Sequence, residues 1–101
     1  MNTEIEQYAL SLVTSECGEL LAAIGRAGRF GLDTPPTKDF PIFEKDRILE
    51  EMGDVLAAIE YYALRCGSIG DYYRICGYAA AKGKKLLDPN SKDNLGRRLA
   101  P

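Results

Sequence analysis

Apolar residues return every three or four positions over three separate stretches of this chain, the spacing of one face of an α-helix. The first stretch, from about Thr3 to about Arg29, carries Ile5, Tyr8, Ala9, Leu12, Val13, Leu20, Ala23, Ile24 and Ala27 on one stripe. Gly18 and Gly25 interrupt it, each costing about 1 kcal/mol of helix propensity relative to alanine, so packing must hold this helix. From Phe30 to Phe43 the period is lost. Gly31, Pro35, Pro36 and Pro41 exclude regular structure there, while Phe30, Phe40, Ile42 and Phe43 supply apolar anchors. A loop of this length in a small domain is more often functional than idle.

The second helix is expected to begin between Pro41 and Asp46 and to run to about Cys66, with Ile48, Met52, Val55, Leu56, Ile59, Tyr62, Ala63 and Cys66 as its stripe. Gly67 reads as its stop. Ser68 with Asp71 three residues on resembles a capping box that opens a third helix. That helix carries Ile69, Tyr72, Tyr73, Cys76, Ala80, Gly83 and Leu87 on one face and ends at Asp88-Pro89. The polar, basic tail Asn90–Pro101 is expected to form a short helix or an ordered arm. No stretch alternates with period two and no repeat is present. The prediction is therefore one all-α domain over residues 1–101. Three helices make an incomplete bundle, so a partner chain is expected to complete it into a four-helix-bundle-like core.

Composition narrows the picture. At 101 residues a single hydrophobic core is barely sufficient, which again favours association. A net charge of −2 with interspersed signs argues against a nucleic-acid partner, for which a basic surface supplies most of the affinity. The chain has three cysteines without CxxC spacing and no histidine, which disfavours zinc and every mechanism built on a histidine base. The cysteines read as small buried apolar residues of a reducing cytoplasm. No leader-like pattern and no membrane-length apolar run is present, so a soluble cytoplasmic protein without a membrane partner is expected.

The informative residues are acids in the wrong place. At about 100° per residue, Glu16 falls near the centre of the first apolar stripe, between Leu12 and Leu20, and Glu19 lies slightly to one side. On the second helix Glu51 sits at the edge of the stripe, Asp54 lies one turn on along the same flank, and Glu50 points nearly the opposite way. Each helix thus supplies an acidic pair spaced i, i+3. If the two flanks face one another, four carboxylates converge with no sequence-local cation to balance them. They are then neutralised by distant Lys or Arg, protonated by burial, or occupied by divalent cations. Oxygen-only ligation suits Mg²⁺ or Mn²⁺.

The run Ser15-Glu16-Cys17-Gly18-Glu19-Leu20, followed by Glu50-Glu51-Met52-Gly53-Asp54-Val55-Leu56, resembles the MazG-like all-α nucleoside triphosphate pyrophosphohydrolases. These carry EExxE on one helix and ExxD on the next. The likeness covers the first two helices well and the third helix and tail loosely. It implies Glu16, Glu19, Glu51 and Asp54 as metal ligands and catalytic residues, with Mg²⁺ (or Mn²⁺) as cofactor. It also implies hydrolysis of a nucleoside triphosphate substrate to monophosphate and pyrophosphate, serving nucleotide-pool control or removal of non-standard nucleotides. Ser15 departs from the pattern by replacing the first Glu of EExxE.

A triphosphate needs positive charge. Lys82, Lys84 and Lys85 on the third helix and Lys92, Arg97 and Arg98 in the tail are the main supply, with Lys84 at the border of the apolar stripe. Asn94 with Arg97 and Arg98 resembles the family's late Asn and basic cluster. Phe30 in the loop, or Tyr61, Tyr62, Tyr72 and Tyr73, can stack on a base, although each also serves as ordinary packing. The competing prediction is a non-catalytic helical oligomeric module with a degenerate acidic site. Within the enzyme class, a dUTP- or dCTP-directed sanitising role stays open. The phosphoribosyl-ATP reaction is disfavoured, because no histidine follows the ExxD motif. Homodimer and homotetramer are both compatible with the sequence.

Overall fold

In a computed structural model, residues 3–38 and 41–90 are described. They form three helices: α1 (Thr3–Phe30), α2 (Glu44–Cys66) and α3 (Ile69–Leu87), with no strand among the described residues. The all-helical expectation holds, with boundaries close to those read from periodicity. Phe40 and the tail residues Lys92, Asn94, Arg97 and Arg98 lie outside the described residues. No helix is long and apolar enough to cross a membrane among the described residues.

The helix ends follow local chemistry. Gly31 has φ +89°, a left-handed conformation that glycine adopts without strain, and donates its N–H to the Ala27 carbonyl at 2.7 Å. The Thr34 hydroxyl turns back onto the Phe30 and Gly31 carbonyls, closing the end of α1. Phe43 offers α2 no side-chain cap, and Glu44 and Asp46 in the first turn meet the positive end of the helix instead. A Cβ on Gly67 would meet the Ala63 carbonyl at 2.9 Å, so glycine suits the sharp turn between α2 and α3. Ser68 Oγ accepts the Asp71 N–H at 3.1 Å, the cap expected from the sequence.

Helices α1 and α2 pack as an antiparallel hairpin. Tyr8 meets Tyr61 edge-on at one end, ring centroids 6.2 Å apart, and Arg26 meets Glu44 at the other. Among the described residues the buried apolar ones are four alanines, Ala9, Ala23, Ala58 and Ala63. Small side chains let the helices approach closely but bury little area. The α3 helix buries no residue and packs lightly on α2 near their shared end, where Tyr72 Oη donates to Glu60 at 3.4 Å. Its expected stripe is therefore mostly exposed, Ile69, Tyr73 and Leu87 among it, because little of the chain covers it. The cysteines likewise depart from expectation: Cys76 is exposed, and Cys17 and Cys66 are half-buried. The Cα radius of gyration is 16.8 Å, against about 13 Å for a compact domain of this length.

Glu44 is the one buried charged residue among the described residues. Arg26 Nε and Nη2 both donate to its Oε1, at 3.0 and 2.6 Å, tying the end of α1 to the start of α2 across the loop. Arg26 also lies over the Phe30 ring, 5.4 Å from its centroid. The variant Arg26→Met would strand the Glu44 carboxylate in the interior. The expected loss is about 2 to 3 kcal/mol in urea unfolding, below the full cost for a buried pair, since 21% of the Arg26 side chain stays in water. An unchanged midpoint would show that this pair does not hold the loop closed.

Candidate metal centre

The acidic i, i+3 pairs do face one another. Glu16 and Glu19 project from α1, Glu51 and Asp54 from α2, and one carboxylate oxygen from each can be chosen so that all four lie within 4.8 Å of one another. The antiparallel register puts them level: with Tyr8 beside Tyr61 and Arg26 beside Glu44, the middle of α1 meets the middle of α2. Glu16 and Glu51 are half-buried, while Glu19 and Asp54 are exposed at the rim. Glu50 is exposed and outside the cluster, as its helical phase required, and Ser15 is exposed one residue before Glu16.

Two oxygens expose the cost of this arrangement. Glu16 Oε2 and Glu51 Oε2 are buried and have no hydrogen-bond partner. Among the described residues no lysine or arginine makes an ion pair with any of the four acids. Loss of hydration pushes the Glu16 carboxyl above its ordinary range, and the neighbouring Glu19, Asp54 and Glu51 charges push it further. Glu51 is raised for the same reasons, burial first and then Glu19 and Asp54, with Arg47 pulling weakly the other way. A cluster that raises carboxyl pKa values and leaves two buried oxygens without donors could hold a metal ion. Opposite ligands on one Mg²⁺ lie about 4.1 Å apart, from bond lengths near 2.05 Å. The carboxylate oxygens lie within 4.8 Å of one another, a wider spread than one such ion sets, and the all-oxygen donor set is the kind that Mg²⁺ or Mn²⁺ takes.

No protein-family model, curated protein or solved structure matches this chain.

The remaining candidates are not gathered here. Lys84 and Lys85 are exposed in the last turn of α3, whose contacts with α2 lie near the opposite end. Phe30 lies eleven residues beyond Glu19 on α1, about 16 Å along the axis, with its ring beside Arg26 and Arg29. Asn94, Arg97 and Arg98 lie outside the described residues. What adjoins the acids instead is an open trough of about 380 Å³ lined by Leu12, Glu16, Asp54, Ala57, Ala58 and Tyr61. The sequence placed Leu12 in the α1 stripe but not at the site, and did not single out Ala57. Their positions one turn from Glu16 and from Asp54 were legible, but which flank of the hairpin they would share was not.

The raised carboxyls make a signed prediction. Glu16 and Glu51 bind protons more tightly in the folded chain than in the unfolded chain. Their contribution to metal-free stability is thus greatest below the unfolded carboxylate value and is lost as pH rises through the folded values. Thermal midpoints in EDTA should fall for wild type relative to a Glu16→Gln, Glu51→Gln double variant as pH climbs through that window. A gap independent of pH would remove the electrostatic argument.

Proposed function

We propose that this chain is a MazG-like, metal-dependent nucleoside triphosphate pyrophosphohydrolase that works as a homo-oligomer. The observation that carries the reading is the four-carboxylate cluster, with its two buried oxygens lacking donors and no ion pair to an arginine or lysine among the described residues. Glu16, Glu19, Glu51 and Asp54 would hold Mg²⁺ (or Mn²⁺), which when bound lowers the pKa of water and offsets phosphate charge. The protein's own contribution is positional. Two helices hold the acids level, and the half-buried pair keeps part of the site out of bulk water. In the reaction a water oxygen bonds to the α-phosphorus and the α–β bridging P–O bond breaks. Pyrophosphate leaves with the electron pair, and the proton passes to solvent.

Oligomer formation is supported by the surface the single chain leaves uncovered. Its accessible area is 7673 Å², against about 5,700 Å² for a compact monomer of this mass. Homodimer and homotetramer both satisfy that need. A cytoplasmic setting, where triphosphates are plentiful and the three free thiols stay reduced, fits the same reading.

The test is pyrophosphate release from a panel of standard and modified NTPs and dNTPs with Mg²⁺, Mn²⁺ or EDTA. Metal-dependent release with monophosphate as co-product is the expected result. The exposed apolar surface would equally serve a non-catalytic assembly module. A folded oligomer that turns over no member of the panel would favour that second reading.

A further inference from the structure

The trough beside the acids has two unlike ends. Glu16 and Asp54 stand at one, and Tyr61 stands at the other, with Leu12, Ala57 and Ala58 between them. Asp54 and Tyr61 are seven residues apart on α2, two turns or about 10 Å. The Tyr61 ring is steadied by Tyr8, which meets it edge-to-face with an interplanar angle of 83°. Tyr61 is still 37% exposed, so part of its ring remains open to a ligand.

Resting on the proposed triphosphate chemistry at the acids, we infer that this trough is the nucleoside subsite, with the base lying on Ala57 and Tyr61 and the phosphates directed to Glu16 and Asp54. The occupant must carry a cation-linked anion at one end and a flat apolar body at the other, and a nucleotide does both. The volume of about 380 Å³ lies in the usual range for small-molecule sites. A second copy of the chain is a poorer occupant. It would seal the acidic end, with Glu16 and Asp54, away from water. Broader apolar surface, including Leu21 at 69% and Leu56 at 62% exposure, lies on the other side of the hairpin by helical phase. The assignment moves base recognition away from Phe30, which lies well along α1 from the acids.

Two measurements test it. In the first, kcat/KM is compared for nucleoside triphosphates and for methyl triphosphate, which has no base, in wild type, Tyr61→Ala and Ala57→Leu. The ratio between the two substrates should fall about tenfold or more in both variants, as expected when a stacking surface is removed or obstructed. A ratio unchanged in both would overturn the subsite even while pyrophosphate release continues. In the second, AMP, CMP, GMP and UMP are titrated with Mg²⁺ into methyl-labelled wild-type protein. Shifts centred on the Leu12 and Ala57 methyl groups support the subsite even if no triphosphate is hydrolysed. Absent shifts, or shifts centred on Ile42 in the loop, would overturn it. If a second copy fills the trough instead, Ala57→Leu will alter sedimentation and the nucleotides will move neither methyl group.

Discussion

Glu51→Gln is expected to abolish turnover and at the same time to raise the thermal midpoint of the metal-free protein. The two effects have one cause. Glu51 Oε2 is buried without a donor, and the carboxyl is pushed up by lost hydration and by Glu19 and Asp54. Near neutral pH that charge opposes folding, and an amide of nearly the same shape removes the repulsion. The same amide is a poor ligand for a hard cation, which needs carboxylate charge. Loss of an outer-sphere partner typically costs 10–100-fold in metal affinity or activity, so loss of a direct ligand should cost at least about 100-fold in kcat/KM. Glu19→Ala and Asp54→Ala should lose turnover as well while keeping the helical circular dichroism. The check is calorimetry of wild type and Glu51→Gln with Mg²⁺ and with EDTA. Mg²⁺ should raise the wild-type midpoint and leave the variant unmoved. Full activity in any of these variants would sink the ligand assignment. A Glu51→Gln midpoint in EDTA below that of wild type would mean the carboxylate has a stabilising partner instead.

Leu56→Asp is expected to convert the wild-type assembly to a species of 11.1 kDa, the mass of one chain. Leu56 is 62% exposed on α2, and Leu21, 69% exposed on α1, offers the same test from the neighbouring helix. Burying one leucine is worth about 1.5–3 kcal/mol, and a two-fold interface contains each position twice. The association constant should therefore fall by at least about 100-fold, since about 1.4 kcal/mol is tenfold. With four alanines as the buried apolar residues among those described, the separated chain should also unfold at lower urea concentration. Sedimentation velocity at micromolar concentration decides the matter. Wild type sedimenting as a single chain would remove the oligomeric reading, and the helical hairpin would then have to be stable alone.

The three helices were legible because their signals are local. Periodicity placed α1, α2 and α3, while Gly31, Gly67 and Ser68 marked turns through backbone and capping chemistry that acts within a few residues. The acids were legible for a related reason. A charge in the middle of an apolar stripe is an anomaly visible at one residue, so Glu16 stood out without any knowledge of its neighbours. The degree of burial was not legible. Met52 and Leu56 belong to the α2 stripe, yet both are exposed, at 45% and 62%. A stripe shows which face seeks cover, and a single chain this small does not supply enough of it.

Sequence alone thus determined the helical class, the chain punctuation and the identity of the four acids, all of which depend on propensity and phase within one segment. The tertiary structure decided that the acidic flanks face each other and that no arginine or lysine among the described residues forms an ion pair with them. It also decided that Leu12, Ala57 and Tyr61 share a trough with Glu16 and Asp54, whereas Lys84 and Phe30 lie far along their own helices. Those outcomes depend on the register and mutual rotation of α1 and α2. Two long-range contacts, Tyr8 with Tyr61 and Arg26 with Glu44, mark that register, and periodicity within either helix carries no information about such pairing.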